Sequence, residues 1–133
     1  MGVEPDGVRA GRPPTREQRV ARHAYERVAI LAKEAKERRS EYETAVNDLG
    51  VGILRGGLCA ALATLERRKE RGGRLVLEHL AGAGLLGLEG ATADTLSRRV
   101  RDLDQTAYIR VTREALRTAA WLKRAVQSMF EEG

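Results

Sequence analysis

The residues best suited to chemistry in this chain are four arginines near its C-terminal end, and the chemistry that they suggest is anion binding. If residues 108–130 form an α-helix, side chains three, four and seven positions apart share a face. One face then carries the arginine row, which consists of Arg110, Arg113, Arg117 and Arg124. The opposite face is apolar and must be buried against protein. An ordinary solvated surface is the alternative interpretation, because exposed helix faces are commonly charged.

Positive charge is concentrated in three parts of the sequence. The chain has 24 basic and 19 acidic residues, a net charge of +5, and 20 of the basic residues are arginine. The excess lies in residues 1–39, 67–74 and 110–133. Such clustering favours contact with a polyanion, with general solubility as the alternative. The candidate anion-binding residues are Arg67, Arg68, Lys69, Arg71, Arg110, Arg113, Arg117, Lys123 and Arg124.

The sequence contains no group of residues with the types and spacing of an active site. His23 and His79 have no metal-ligand spacing around them, and each is expected to be partly exposed or a packing residue. Cys59 lies in an apolar run and is expected to be a buried thiol. Trp121 adjoins basic residues but is expected to pack against protein rather than stack on a base. We therefore predict no catalytic residue, metal site, cofactor or small-molecule substrate.

Composition predicts an all-α fold in a single domain. Proline occurs only at positions 5, 13 and 14, alanine and leucine are abundant, and isoleucine, phenylalanine and tyrosine are scarce. Residues 1–14 mix glycine, proline and charge without periodicity, which predicts a disordered tail. Residues 15–133 should form a compact bundle of about five to six helices. Without an apolar run of about 18 residues or a secretory signal, we expect a soluble, cytoplasmic protein that does not contact membranes.

Local signals place the first helices. Thr15 followed by Gln18 is a capping box that starts helix one, and Ser40 followed by Glu43 is a second such box. The second helix should end near Asp48, because residues 50–57 (GVGILRGG) have the composition of a loop. That loop matches neither a dinucleotide fingerprint nor a P-loop, so its glycines are expected to allow a bend or close helix packing. A short buried helix should follow and end in the basic residues 67–71.

The second half of the chain is divided by glycine and by one capping residue. Gly72-Gly73 is predicted to be a turn, with a helix from Arg74 to Leu86 and a loop over residues 88–93. A short helix should start at Asp94 or Thr95. Asp104 should cap the helix that carries the arginine row. A second cap at Thr112 would break that helix and remove Arg110 from the row.

Three segments of the sequence have the pattern of a known family. The most specific segment has the residues Tyr108, Thr112-Arg113-Glu114-Ala115-Leu116 and Trp121-Leu122-Lys123-Arg124. The other two are Gly57-Leu58-Cys59-Ala60-Ala61-Leu62-Ala63, similar to a Gly-Leu-x-x-Ala-Leu-Ala segment, and Leu77, His79 and Leu80, similar to a short Leu/His-containing helix. Together they resemble the small helical subunit of the type III-B CRISPR effector (Cmr) complex, over roughly residues 20–128.

The resemblance implies a helical bundle without enzymatic activity of its own. Copies of such a subunit stack into a short filament beside a backbone filament that holds the guide RNA. The expected partners are other Cmr-type subunits, further copies of the chain, and the backbone of the guide–target RNA duplex. Base pairing reads the sequence in such complexes, so the protein needs only charge and shape. The candidate anion-binding residues then become candidate RNA-binding residues.

Two other functions remain as alternatives. One is a small helical DNA-binding regulator, for which residues 67–80 would have to form a helix-turn-helix, a poor match because an apolar helix follows the glycines. The other is a protein-interaction module that does not contact nucleic acid.

Overall fold

This computed structural model describes residues 12–130, which contain six α-helices and no strand. The prediction of an all-α bundle is confirmed. Most of the predicted tail, residues 1–11, lies outside the described residues, and residues 12–14 lead into the first helix without being helical. The helices are α1 (Arg16–Leu31), α2 (Lys36–Gly56), α3 (Leu58–Arg67), α4 (Arg71–Ala81), α5 (Leu96–Arg101) and α6 (Gln105–Met129).

The predicted caps of α1 and α6 are confirmed. The Gln18 backbone N–H donates to Thr15 Oγ1 at 3.1 Å, and the Thr15 N–H donates to Gln18 Oε1 at 2.7 Å. Asp104 Oδ1 accepts a hydrogen bond from the Ala107 N–H at 2.8 Å. Each cap satisfies backbone donors that have no partner within their own helix, which fixes where α1 and α6 begin.

The second helix is much longer than predicted. Ser40 lies inside α2 rather than at its start, and the predicted loop over residues 50–57 is wrong because α2 continues through Gly56. The glycines gave this segment the composition of a loop, but Gly52 has a packing role inside the helix. An added Cβ there would lie 3.2 Å from the Cβ of Ala61 on α3. Gly52 therefore allows close helix packing, which is one of the two roles predicted for these glycines. The chain leaves α2 at Gly57, whose φ of +92° favours glycine.

The predicted turn at Gly72-Gly73 is also wrong, because both glycines are buried in the first turn of α4. A Cβ on Gly72 would lie only 2.7 Å from the backbone C and O atoms of Glu41 on α2. Glycine is required here because two helix backbones touch. At its other end α4 stops at Ala81 rather than Leu86, and two glycines with positive φ, Gly84 and Gly87, turn the chain away.

α6 lies between α1 on one side and α2 on the other. α2 also packs against α3 and α4, and α4 packs mainly against α2 and α3. Arg16 at the start of α1 pairs with Glu114 on α6, so α1 and α6 run parallel. The Phe130 ring lies 6.4 Å from the ring of Tyr42, so α2 and α6 run antiparallel. None of the described helices is both long enough and apolar enough to span a bilayer.

A buried polar network joins α1, α2 and α4 at His79 of α4. The Tyr42 hydroxyl of α2 and His79 Nδ1 share a hydrogen bond of 2.7 Å. From the other side, His23 of α1 donates its Nε2–H to the His79 carbonyl at 2.8 Å. His79 is therefore a packing residue with satisfied bonds, one of the two predicted roles. Burial, together with the nearby charges of His23 and Arg27, lowers the pKa of His79 to about 4.

We expect this network to make stability fall in mild acid. In the unfolded chain His79 has a pKa near 6.5 and binds a proton below that pH, whereas folded His79 stays neutral until about pH 4. Because the unfolded chain binds this proton and the folded chain does not, the free energy of unfolding falls by about 2 kcal/mol between pH 7 and pH 5. Urea unfolding at a series of pH values measures this, with His79→Gln as the control because an amide still reaches Tyr42. Parallel stability curves for the two proteins over this range would contradict the assignment.

Candidate nucleic-acid interface

The helix that carries the arginine row is unbroken. α6 runs from Gln105 to Met129 without a second start at Thr112, so Arg110 stays in the row. One end of α6 is held where the Cys59 backbone N–H donates to the Tyr108 hydroxyl at 3.1 Å. The other end is held by the contact between Phe130 and Tyr42. Both ends are fixed to the body of the protein, so the direction of the row is fixed as well.

The arginine row lies on the solvent side of α6. Its opposite face is buried in the core through Val111, Ala115, Thr118, Ala119, Leu122, Ala125 and Val126. All four arginines of the row are exposed, as predicted. Within residues 12–130, none of the four forms an ion pair with a carboxylate. The structure therefore assembles four exposed guanidinium groups whose charge is not neutralised by described neighbours.

Glu114 explains why the row is free of acidic neighbours, and sequence reasoning missed its role. It is the only carboxylate of α6, and its side chain is 12% exposed. Arg16 Nε donates to Glu114 Oε2 at 3.1 Å, and the Leu86 backbone N–H donates to Oε1 at 3.0 Å. Glu114 thus joins α1, the loop after α4 and α6. Because Glu114 is the one acidic residue among the arginines of α6, the sequence could have predicted that it pairs with a residue on another element.

Trp121 and Lys123 flank the row but differ from it. Trp121 is half-buried against the core, as expected, and lines a small cavity of about 30 Å³ between α1 and α6 with Val20. The guanidinium of Arg124 lies over its ring, 5.5 Å from the centroid. Lys123 is exposed but lines a separate cleft of about 140 Å³ with Glu43 of α2. Arg124 therefore belongs to the row, and Lys123 belongs to the groove between α2 and α6.

The predicted basic block at residues 67–71 is more mixed in charge than its sequence suggests. Arg68 is held by two carboxylates, those of Asp48 and of Glu70, the latter at 3.0 Å. A backbone hydrogen bond and the charge of Arg68 both lower the pKa of Glu70. Arg67, Lys69 and Arg71 are exposed and form no ion pair within the described region. Only these three remain as candidates for anion contact.

A cleft of about 410 Å³ adjoins this block, and its walls carry both signs of charge. Glu66, Glu70 and Asp94 line it together with Lys69 and Arg71. Arg74, also at the cleft, is paired with Asp94 at 2.9 Å, and this pairing lowers the pKa of Asp94. Carboxylates beside the free cations repel a polyanion, so this surface suits phosphate less well than the arginine row does.

The residues considered for other chemistry lie apart from one another. Over residues 12–130, no three side chains of His, Cys, Asp or Glu are grouped so that they could hold a metal ion. Cys59 is half-buried rather than fully buried. His23 and His79 meet only through the backbone carbonyl of His79.

Comparison with known proteins gives one consistent result. Residues 16–129 match the model of a family described as CRISPR-associated protein (Cas_Cmr5). A CRISPR system Cmr subunit Cmr5 from Thermus thermophilus is 35% identical over 118 residues, which cover 89% of this chain and 98% of that protein. The crystal structure of a CRISPR-associated Cmr5 family protein from Thermus thermophilus superimposes with a TM-score of 0.79. It is 33% identical to this chain, and the match covers 90% of this chain and all of that one.

Proposed function

Because this chain belongs to the Cmr5 family of CRISPR-associated proteins, we propose that it is a non-catalytic small subunit of a type III-B effector complex. In this role, copies of the chain stack on one another beside the other Cmr subunits in the cytoplasm. Together the copies line the path of the guide and target RNA and contact the RNA backbone.

The arginine row is the observation that carries the RNA-binding part of this proposal. Four exposed guanidinium groups without described carboxylate partners offer planar, paired donors that match phosphate oxygens. Arg113, Arg117 and Arg124 lie within about 40° of one another around a regular helix. Binding of one phosphate strand along such a row does not depend on the bases, which suits a complex in which the guide reads the sequence.

We expect the isolated chain to bind RNA weakly and without sequence preference. Labelled RNAs of equal length and unrelated sequence, titrated in fluorescence anisotropy at low salt, measure this. Backbone contacts predict affinities that agree within about threefold, because a base-specific contact would separate sequences by about 1–3 kcal/mol, or about fivefold and more. Strong preference for one sequence, or no binding at all, would contradict the proposal.

We also expect the isolated chain to be catalytically silent. Labelled RNA, single-stranded DNA and ATP, each incubated with the protein and Mg²⁺ or Mn²⁺, should remain intact, since cleavage and nucleotide chemistry would belong to other subunits. Turnover that co-purifies with the protein after a change of host and tag would overturn this part of the proposal.

The buried position of α4 argues against a DNA-binding regulator. A recognition helix must enter the major groove, but six of the eleven residues of α4 are buried against the rest of the protein. A module without nucleic-acid contact is the remaining alternative, and the RNA titration distinguishes it.

A further inference from the structure

We propose that Arg124 offers a stacking surface to one unpaired base of the bound RNA, with the indole ring of Trp121 supporting the guanidinium from the other side. This inference rests on the proposed function and deepens it, because it gives one residue of the arginine row a second kind of RNA contact. Arg124 differs from the other three arginines of the row, since among the described residues it alone of the four lies over an aromatic ring.

The guanidinium of Arg124 has one covered face and one open face. Its central carbon lies 5.5 Å from the centroid of the Trp121 ring, which is within the range of a cation–π contact. One face of the guanidinium is therefore turned to the indole. Arg124 is exposed and forms no ion pair with a described carboxylate. The face turned away from the ring is thus available to a ligand.

The other cation–π pair among the described residues has a different setting. The guanidinium of Arg39 lies 5.9 Å from the centroid of the Phe130 ring, but Arg39 is half-buried, and its Nε atom is buried without a hydrogen-bond partner. That pair belongs to the packing of α2 against the end of α6. Arg124 is instead exposed, and an exposed cation–π contact adds little to stability. Packing of the fold therefore explains the first pair better than the second.

The spacing of the row leaves room for a base beside Arg124. Arg110, Arg113 and Arg117 are spaced by three and four residues, and the same spacing continues through Ala120 to Arg124. Ala120 is exposed, and its short side chain leaves a gap of about 10 Å along the helix between the two flanking arginines.

Two residues one turn back along α6 decide which face of the guanidinium stays open. Residues three and four positions apart are neighbours on a helix surface, so Trp121 and Ala120 both adjoin Arg124. Trp121 covers one face of the guanidinium, whereas the methyl group of Ala120 is too short to cover the other. A planar base that enters the gap over Ala120 therefore meets the open face.

A base and a phosphate can contact Arg124 together. The N–H donors of a guanidinium lie in its plane and point outward from its edge, so the edge donates to phosphate while the face stacks. Unpaired bases of RNA stack on guanidinium planes as well as on aromatic rings, whereas the bases of a duplex are already stacked on one another. Every base has a π face, so such a contact tolerates any sequence, as the proposed function requires.

Replacement of Arg124 by lysine tests the stacking contact, because lysine keeps the positive charge but has no planar face. Wild-type and variant proteins are titrated with single-stranded RNA and with an abasic oligonucleotide of the same length, which has the phosphates but no bases. Arg124→Lys should weaken the binding of RNA about fivefold or more beyond its effect on the abasic oligonucleotide. Arg113→Lys is the matched control at an exposed position of the same row. It loses only a phosphate contact and should weaken the binding of both ligands by the same factor.

Two results would overturn the stacking contact while the proposed function stands. One is equal weakening of both ligands by Arg124→Lys. The other is an effect of Arg113→Lys that depends on the bases as strongly as that of Arg124→Lys. In both cases the row would still bind RNA, through phosphate alone. A wild-type chain that binds neither ligand would instead overturn the RNA-binding role together with this inference.

Trp121 acts as a positioning residue, and two substitutions test that role. Trp121→Phe keeps a ring beside the guanidinium, whereas Trp121→Leu fills the half-buried position without one. The phenylalanine variant should retain the preference for RNA over the abasic oligonucleotide, and the leucine variant should lose it as Arg124→Lys does. Thermal unfolding shows whether both variants fold, and if the leucine variant does not, the lysine variants decide. The same preference in both folded variants would contradict the role of the ring.

Discussion

Gly72→Ala is expected to destabilise this protein by about 3 kcal/mol, although alanine is the better helix former. Gly72 lies in the first turn of α4, and an added Cβ would come within 2.7 Å of the Glu41 carbonyl carbon and oxygen. Both contacting atoms belong to the backbone of α2 and cannot rotate away. The substitution must therefore push α4 from α2 and disturb the hydrogen bond between Tyr42 and His79. Denaturant unfolding followed by circular dichroism measures the loss.

Gly50→Ala is the matched control for this prediction. It makes the same substitution inside a helix where the added Cβ meets nothing within 4 Å. Helix propensity then acts alone and should stabilise the fold by up to about 1 kcal/mol. The two variants should therefore change stability in opposite directions. A stabilising Gly72→Ala would show that α4 and α2 do not touch through their backbones.

Changing Arg113, Arg117 and Arg124 together to glutamate is expected to weaken RNA binding about a hundredfold or more. Each charge-assisted contact to phosphate contributes about 1 kcal/mol or more, and glutamate adds repulsion. All three side chains are exposed and point away from the buried face of α6, so the helical circular dichroism should not change. The loss should be similar for RNAs of different sequence, because phosphate contacts carry no base identity.

A triple change at Arg38, Arg55 and Arg98 controls for net charge. These arginines are exposed and lie on α2 and α5 rather than on α6, and their replacement by glutamate alters the total charge equally. We expect this control to weaken RNA binding far less. If both triple variants lose affinity equally, only the total charge matters, and the arginine row has no special role.

The sequence predicted those parts of the fold that depend on neighbouring residues. The capping box at Thr15 and the cap at Asp104 are local hydrogen bonds, so the residues themselves identify them. The arginine row follows from helical periodicity alone. The all-α class follows from composition.

The errors at Gly52, Gly72 and Arg68 lie where a distant part of the chain decides the structure. Gly52 and Gly72 look like loop residues, but each permits contact with another helix, with Ala61 on α3 and with Glu41 on α2. A single sequence does not reveal such partners. Likewise, the sequence does not reveal that Arg68 forms an ion pair with Asp48, or that Glu114 accepts a hydrogen bond from Arg16, 98 residues away.

The salt dependence of RNA binding tests the central claim most directly, because it reflects the number of phosphate contacts. The logarithm of the binding constant should fall linearly with the logarithm of salt concentration, and each lost contact should flatten the slope by about 0.7–0.9. Changing Arg113, Arg117 and Arg124 to glutamine removes three contacts and should therefore flatten the slope by about 2 to 3. A slope and an affinity that both equal those of the wild-type chain would mean that the arginine row is an ordinary solvated surface.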